Sequence, residues 1–340
     1  RRWGLPIPVF YCKDCGKPVS TQESIEKLSR LFDEYGSNIW FEKEAMELVP
    51  DGFTCPHCGG KDFTKEKDTL DCWFDSGAMP YAQWHYPFEN KERFEKELFP
   101  ADFICEGIDQ TRGWFYSLMA ISTFIMGRAP YKNVLVNDLI LDKEGKKMSK
   151  SRGNTVSPFE LLDKYGADAL RWYLVSTSPA WTPTRFDEDG VKEVVSKFFG
   201  TLKNVYNFFA LYSNQDGIDP ASIEIAYDQR PELDRWVISK YNNLIREVTD
   251  DMDRYDHMKS VRKIQEFVNE DLSNWYIRRA RRRFWGEELN DDKKAVYATT
   301  YEVLVGLAKM IAPFAPFISD EIYQNLTGEE SVHLAYFPVA

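Results

Sequence analysis

Four of the six cysteines stand in two knuckles, Cys12-Lys13-Asp14-Cys15-Gly16 and Cys55-Pro56-His57-Cys58-Gly59-Gly60. A Cys-x-x-Cys turn aims two sulfurs at one point, and the trailing glycine lets backbone amides turn in towards them. Two such knuckles make a tetrahedral four-sulfur site suited to Zn2+. A redox pair or four unlinked thiols are the alternatives, and His57 could compete as a ligand. The segment from Gly16 to Thr54 is longer than in a minimal zinc ribbon and contains a helical stretch from Ser24 to Phe32. A metal at Cys12, Cys15, Cys55 and Cys58 would therefore clip the base of an inserted subdomain. With no open coordination position it would be structural. Cys72 and Cys105 have no such partners and read as ordinary buried thiols.

The length of 340 residues fits two or three domains. Hydrophobic content of 43% and aromatic content of 15% exclude a disordered tail. A net charge of −11 argues against a general polyanion binder, although it leaves room for local basic patches. No apolar run approaches the ~20 residues that span a bilayer, so no membrane is expected. The opening RRWGLPIPVF lacks the apolar core of a signal peptide and an initiating Met, so the chain reads as a piece of a longer protein.

The fold class read from the pattern is α/β followed by all-α. Ala101 to Glu106 reads as a short buried strand, followed by Gly107 and a helix from about Gln110 to Gly127. Asn133 to Leu141 reads as one or two further strands. This order suggests a parallel sheet with a right-handed crossover, whose ligands bind beyond the strand ends, where Glu106, Asp109 and Gln110 lie. Ser157 to Glu160 is a capping box with Pro158 at the first helical position. The helix breaks at Tyr165-Gly166 and resumes through Asp168. From about residue 190, apolar residues recur at spacings of three and four. The runs are Val191 to Phe209, Leu233 to Val248, Val261 to Trp275, and Tyr301 to Ile311, the last ending near Pro313 and Pro316. They predict an antiparallel helical bundle.

Lys146, Lys147, Lys150 and Arg152 crowd one loop between Gly145 and Gly153. Mobile lysines there can close over a phosphate chain, and fixed cations stabilise the charge that gathers on a departing pyrophosphate. The competing reading is a solvated basic hairpin. A second basic run holds Arg278, Arg279, Arg281, Arg282 and Arg283. Its arginines could contact RNA phosphates or stack on bases, or could equally pair with acidic helices of the bundle.

The string Lys147-Met-Ser-Lys-Ser151 resembles the KMSKS signature of class I aminoacyl-tRNA synthetases. Further blocks occur in matching order: Arg1 to Pro8, the two knuckles, Asp71 to Gly77, Glu106 to Phe115, Tyr165 to Arg171, Leu272 to Arg279, and Ala312 to Phe317. Together they resemble the isoleucyl-tRNA synthetases along essentially the whole chain. Met79 to Asn90 is similar to the type shared by eukaryotes, archaea and a subset of bacteria.

The resemblance implies that ATP and isoleucine react, with Mg2+, to isoleucyl-adenylate and pyrophosphate, and that the acyl group then passes to tRNA(Ile). It implies that Lys147 and Lys150 stabilise the phosphates. Glu106 and Gly107 would hold the amino acid and adenylate at the strand end. Asp109 and Gln110 would bind ribose or adenylate, and Trp73 and Trp114 would wall the isoleucine pocket. The expected organisation is the second half of a Rossmann-like nucleotide-binding fold with a zinc-bearing insertion, then an anticodon-binding bundle. Its boundaries are 1–80 for the insertion and entry, 81–155 for the half-fold with its KMSKS loop, 156–195 for a connecting region, and 196–340 for the bundle. The four histidines are isolated and form no HIGH-type motif, and the editing insertion of this family would precede residue 1. The fragment alone is therefore expected to be inactive in adenylation. The intact protein would be cytoplasmic and monomeric. A valine enzyme and a non-catalytic tRNA-binding module are the alternatives.

Overall fold

The structure, a computed structural model, describes residues 4–340. Arg1, Arg2 and Trp3, which open the first of the resembling blocks, lie outside the described residues. The chain divides into two units, one ending at Val134 and one running from Leu135 to Ala340.

The first unit begins with β1 (Phe10–Cys12), flanked by β2 (Pro18–Val19) and β3 (Phe63–Lys65) in a three-stranded antiparallel sheet. Alternation along β1 buries Phe10 and Cys12 on one face. The predicted helix is α1 (Gln22–Tyr35), and it starts before Ser24 because Thr21 caps it. The Thr21 hydroxyl accepts the Ser24 N–H, and the Ser24 hydroxyl accepts the Thr21 N–H, which satisfies two free helix-end groups at once. Two single turns, α2 (Ile39–Glu42) and α3 (Ala45–Leu48), bring the chain back to β3. Phe10, Val19, Leu28, Trp40, Leu48 and Phe63 close a small core around Cys12 and Cys55.

After α4 (Cys72–Ala82) and α5 (Lys91–Arg93) comes β4 (Ala101–Gly107), which pairs with β5 (Tyr131–Asn137). The strand expected from the sequence is there, but it is not buried: Asp102, Phe103 and Glu106 are exposed. Among the described residues β4 has one strand neighbour. The predicted helix at Gln110 is also displaced. Ile108–Arg112 form a 3-10 turn, and α6 (Trp114–Met126) starts only after Gly113. The two remaining cysteines are less buried than their composition class suggests. Cys105 on β4 is half-buried, and Cys72, at the first position of α4, is exposed.

In the second unit β6 (Ile140–Leu141) pairs in parallel with β7 (Thr184–Arg185). Between them lie α7 (Pro158–Tyr165), with Ser157 as its cap, and α8 (Ala167–Thr177), separated at Gly166 as the sequence predicts. The helices that follow match the apolar periodicity. α9 (Glu188–Glu193) runs through a π-helical segment, Val194–Phe199, into α10 (Gly200–Gln215). α11 (Glu232–Asp253) is followed by α12 (His257–Glu266), which continues through a second π-helical segment, Phe267–Ile277, into α13 (Arg278–Phe284). α14 (Asp291–Ile311) is the most buried of them. Their apolar faces meet in one core, where Trp172 of α8 stacks on Phe198 with ring centroids 4.2 Å apart.

One helix was not expected. Pro316, read from the sequence as a terminator, opens α15 (Pro316–Thr327). Proline fits there because the first helical residue needs no N–H partner. The cap comes from another helix: the Asp168 carboxylate of α8 accepts the N–H groups of Phe317 (3.3 Å) and Ile318 (2.7 Å). One turn along α8, Arg171 donates to the carbonyls of Phe314 (3.0 Å) and Pro313 (3.1 Å). Two side chains of α8 thus satisfy both polarities of the α14–α15 turn.

Candidate functional site: a four-sulfur centre, a strand end and a lysine hairpin

The two knuckles converge. The sulfurs of Cys12, Cys15, Cys55 and Cys58 all lie within 4.8 Å of one another. Cys12 Sγ is 3.6 Å from Cys58 Sγ, and Cys15 Sγ is 3.7 Å from Cys55 Sγ. A tetrahedron with metal–sulfur bonds of ~2.3 Å has edges of ~3.8 Å, so these separations suit one shared cation. They are far too long for disulfides, which need ~2.05 Å.

Both knuckles are built alike. Gly16 N–H donates to Cys12 O and Gly59 N–H to Cys55 O, each at 2.8 Å. The turns require φ values of +68° and +78°, which glycine adopts without strain. The amides of His57 and Gly60 point at Cys55 Sγ and Cys58 Sγ, each at 3.4 Å. Burial opposes the charge on Cys55, but the His57 and Cys58 amides outweigh it and pull this thiol down to about 7. For Cys58 the Gly60 amide favours the thiolate, yet the crowded sulfurs and burial prevail and push it up to about 12. Four thiolates this close repel, and a divalent cation removes the conflict. His57 is not in the cluster; its contribution is its backbone N–H.

In the same unit, the strand-end residues follow β4 directly. Glu106 and Asp109 are exposed, and Gln110 is half-buried. Gln110 is fixed at both ends of its amide: Oε1 accepts the Trp114 N–H (2.9 Å), and Nε2 donates to Asp109 Oδ2 (3.2 Å). It thereby takes over the start of α6, where Gly113 offers no side-chain cap. A Cβ on Gly113 would stand 2.8 Å from Gln110 Oε1 and 3.4 Å from the edge of the Trp73 ring. The bare glycine therefore lets Trp73 of α4 lie against the head of α6. Asp71 caps α4 by accepting the Trp73 N–H at 2.8 Å. A depression of about 320 Å³ opens between the two helices, lined by Trp73, Phe74, Arg112 and Tyr116 among others. Trp73 is 42% exposed along it. Trp114 is half-buried with its ring 6.2 Å from that of Phe115.

The lysine loop lies in the second unit and is a stapled hairpin rather than a free loop. The backbone turns at Asp142–Gly145, and Lys147 bridges back to Leu141 in antiparallel fashion. The Asp142 carboxylate accepts the Lys146 N–H (2.6 Å) on one oxygen and the Asn154 amide (2.7 Å) on the other. Asn154 in turn accepts the Ser149 N–H (2.9 Å) and donates to Lys147 O (3.3 Å). Met148 packs against the apolar core of the unit. Lys147 and Lys150, on either side of that anchor, are exposed and have no acidic partner among the described residues. The alternation of lysine and methionine is thus an anchor with two free cations beside it. Asp142 and Asn154 hold the hairpin together, and the sequence reading did not single them out. Their signal is weak: an acid before the turn and an amide just after the closing glycine.

Donation from Asn154, then from the Lys146 N–H, holds the Asp142 carboxyl below its ordinary value. A depressed carboxyl stabilises the hairpin above the unfolded pKa of ~3.9, and this contribution is lost as pH falls through the lower folded value. Asn154→Ala should move the Asp142 titration up towards ~3.9, as read by carboxyl carbon chemical shifts. An unmoved titration would show that the staple is not formed in solution.

The basic run forms α13. Arg278, Arg279, Arg281 and Arg282 are exposed. Arg283 differs. Its guanidinium makes two bonds to the fully buried Asp234 carboxylate (2.6 and 2.7 Å) and two to Asp292, one to the carboxylate (3.0 Å) and one to the backbone carbonyl (2.9 Å). Burial opposes its charge, but Asp234 overrides this and keeps it protonated. Arg283 thus pairs with acidic residues of neighbouring helices, the second of the two readings of the run. Its side chain is spent on the fold.

Comparison with known proteins adds a second division of the chain. Residues 1–186 match the family described as tRNA synthetases class I (I, L, M and V), and residues 234–340 match the anticodon-binding domain of tRNA ligase. The chain is 46% identical over 358 residues to an isoleucine–tRNA ligase of Porphyromonas gingivalis, covering 99% of this chain and 32% of that protein. It is 48% identical over 346 residues to that of Clostridium novyi, again over 99% of this chain and 32% of the relative. The chain therefore spans about a third of the length of the curated relatives it matches. Among solved structures, the LeuRS of Agrobacterium radiobacter K84 in a ternary complex with tRNA and LeuAMS superposes with a TM-score of 0.69 at 23% identity. That match covers 99% of this chain and 42% of the other, and bears on the fold alone. No helix among the described residues is long and apolar enough to cross a membrane. With its matching region spanning more than half of the chain, and the KMSKS hairpin inside it, the protein belongs to the class I tRNA synthetases of the isoleucine, leucine, methionine and valine group.

Proposed function

We propose that this chain is the part of an isoleucine–tRNA ligase that carries the lysine hairpin, the adenylate-facing strand end and the anticodon-binding helices. The observation that carries this reading is the identity of 43–48% to isoleucine–tRNA ligases along 99% of the chain or more. In this reading the enzyme joins isoleucine to AMP from ATP, releases pyrophosphate, and passes the acyl group to tRNA(Ile). Mg2+ accompanies ATP and screens its phosphates. Lys147 and Lys150 neutralise charge on the departing pyrophosphate, and the Asp142–Asn154 staple presents them already extended. Glu106 receives the amino group. Asp109 and Gln110 bind the ribose, and Gly107 leaves room for the nucleotide to approach the backbone. Trp73 and Trp114 wall the side-chain pocket. Arg278, Arg279, Arg281 and Arg282 face tRNA. Zn2+ on the four cysteines is structural.

The proposed boundaries are 1–80 for the zinc-bearing insertion, 81–155 for the second half of a Rossmann-like domain, 156–195 for the connection, and 196–340 for the bundle. The intact protein is proposed to be cytoplasmic and monomeric.

Isoleucine-dependent ATP–pyrophosphate exchange by the full-length protein tests the activity. Exchange should prefer isoleucine over valine, and a preference for valine would move the assignment to the neighbouring enzyme. Lys150→Ala should lower kcat for exchange by about a hundredfold while leaving the thermal midpoint in place, since its side chain supports nothing in the fold. A Lys150→Ala enzyme with normal exchange would remove this lysine from the mechanism.

A further inference from the structure

The four cysteines of the sulfur centre differ in their access to water. Cys12 and Cys55 are buried, Cys15 is half-buried, and Cys58 is exposed. The exposed sulfur stands 3.6 Å from the buried Cys12 Sγ of the other knuckle. The second close pair, Cys15 with Cys55 at 3.7 Å, also runs from one knuckle to the other. A carboxylate lies at the edge of the centre: a Cβ on Gly60 would meet both Asp14 Oδ2 and, at 2.9 Å, Cys12 Sγ.

Holding the subdomain together needs no ligand open to water, so the exposure of Cys58 is left over by that role. A bound metal keeps its cysteines deprotonated, and the thiolate is the form that attacks an oxidant. Among the four, Cys58 is the one such an oxidant reaches first. Its neighbour Cys12 is then in place, since the two sulfurs need approach by only ~1.5 Å to reach a disulfide length. Four thiolates around one divalent cation, with Asp14 beside them, carry an excess of negative charge that repels anions. The oxidant that fits is a neutral peroxide.

We propose that Cys58 is the peroxide-reactive ligand of the centre, and that its oxidation joins it to Cys12 and releases the cation. The Cys58 thiolate attacks one peroxide oxygen and keeps it as a sulfenic acid, while the other oxygen leaves as hydroxide. The Cys12 thiolate then attacks Cys58 Sγ, the disulfide forms, and a second hydroxide leaves. The two sulfurs together give up two electrons, and the peroxide takes them. Cys15 and Cys55 alone are too few to hold the cation, and a second peroxide joins them in the same way. Thiol reductants reverse both bonds. This inference rests on the zinc reading of the four cysteines. Because both bonds run between knuckles, they replace the metal as the tie between the end of β1 and the chain before β3. The oxidised subdomain therefore keeps its closure, whereas a chelator opens it.

The test uses the purified, reduced, zinc-loaded chain with hydrogen peroxide, a chromogenic chelator that reports free zinc, and mass spectrometry of the digested protein. Peroxide should release the zinc, and the first crosslinked peptide should join Cys12 to Cys58. A thiol reductant with added zinc should restore the centre. Cys58→His offers a nitrogen ligand in place of the exposed thiolate, so it should retain zinc and slow its release by about tenfold or more. The crosslink map of the wild type decides even where that variant does not load. Cys72→Ser removes the exposed thiol outside the centre and should leave release unchanged. Amide protection in β1 and β3 should survive peroxide but not a strong chelator. Zinc retained at a peroxide dose that oxidises Cys72, a first crosslink other than Cys12 to Cys58, or protection lost together with the zinc would overturn the proposal and leave the zinc site standing. A reduced, folded chain that holds no zinc would overturn both.

Discussion

Removing zinc from the four-cysteine centre should unfold residues 10–65 while the helices of the second unit persist. The core that surrounds the centre is small: nine large side chains on a three-stranded sheet and one helix of more than two turns. A core of that size supplies only a few kcal/mol on its own. Structural zinc in comparable peptides contributes ~10–16 kcal/mol of apparent binding free energy, which here would be mostly folding free energy. Cys12→Ser or Cys55→Ser should therefore abolish stoichiometric zinc, measured by mass spectrometry of the metal, and should collapse amide protection in β1, β3 and α1. Protection in α11 and α14 should not change. Acid should do the same as a chelator, because protons compete with the metal for thiolates. A reduced, folded chain that contains no zinc would contradict the assignment.

Asp234→Ala should be nearly as damaging to the second unit. The carboxylate is fully buried and accepts two bonds from Arg283 and one from the Tyr276 hydroxyl at 2.9 Å. Burial and the adjacent carboxylate keep that phenol protonated, so it donates at every physiological pH. Taking the carboxylate away leaves a guanidinium whose side chain is only 14% exposed with Asp292 as its remaining acidic partner. Breaking a buried pair in this way costs ~3–5 kcal/mol, whereas replacing both partners by apolar residues is often neutral or better. The single variant should lower the urea midpoint sharply. The double variant Asp234→Leu with Arg283→Met should recover a large part of the loss. A double variant as unstable as the single one would mean that the charge pair contributes net stability of its own.

What could be read from the residues alone divides along a physical line. The cysteine knuckles and the KMSKS string are encoded in short, contiguous spacing, so the convergence of the sulfurs and the exposure of Lys147 and Lys150 could be anticipated. The bundle helices declared themselves through period, because each buries one stripe. Most of the failures are relations across distance. Nothing local to Arg283 says that its partner lies 49 residues earlier, so it looked identical to its exposed neighbours. Pro316 carries the same local signal at the start of a helix as after the end of one, and only the Asp168 cap decides which. Asp142 and Asn154 sit on opposite flanks of the hairpin and join only once Lys147 has found its register with Leu141. The burial of β4 was overstated because an apolar run shows that a strand can be covered, not that it is.

The long helix from α12 to α13 also restricts how this sequence can vary in length. Its π-helical stretch sets the angular phase of everything after Phe267, including Trp275, Arg279 and Arg283. Each residue in an α-helix advances the azimuth by about 100°. Deleting a single position within 267–277 would satisfy the local backbone, since it could relax to the commoner winding, yet it would swing the arginine side of α13 by about that angle. Asp234 would lose its counter-ion and Trp275 its place beside Trp236 in one step. Point changes on the exposed face of this helix can accumulate independently, whereas insertions and deletions upstream of it are lethal to several distant contacts together.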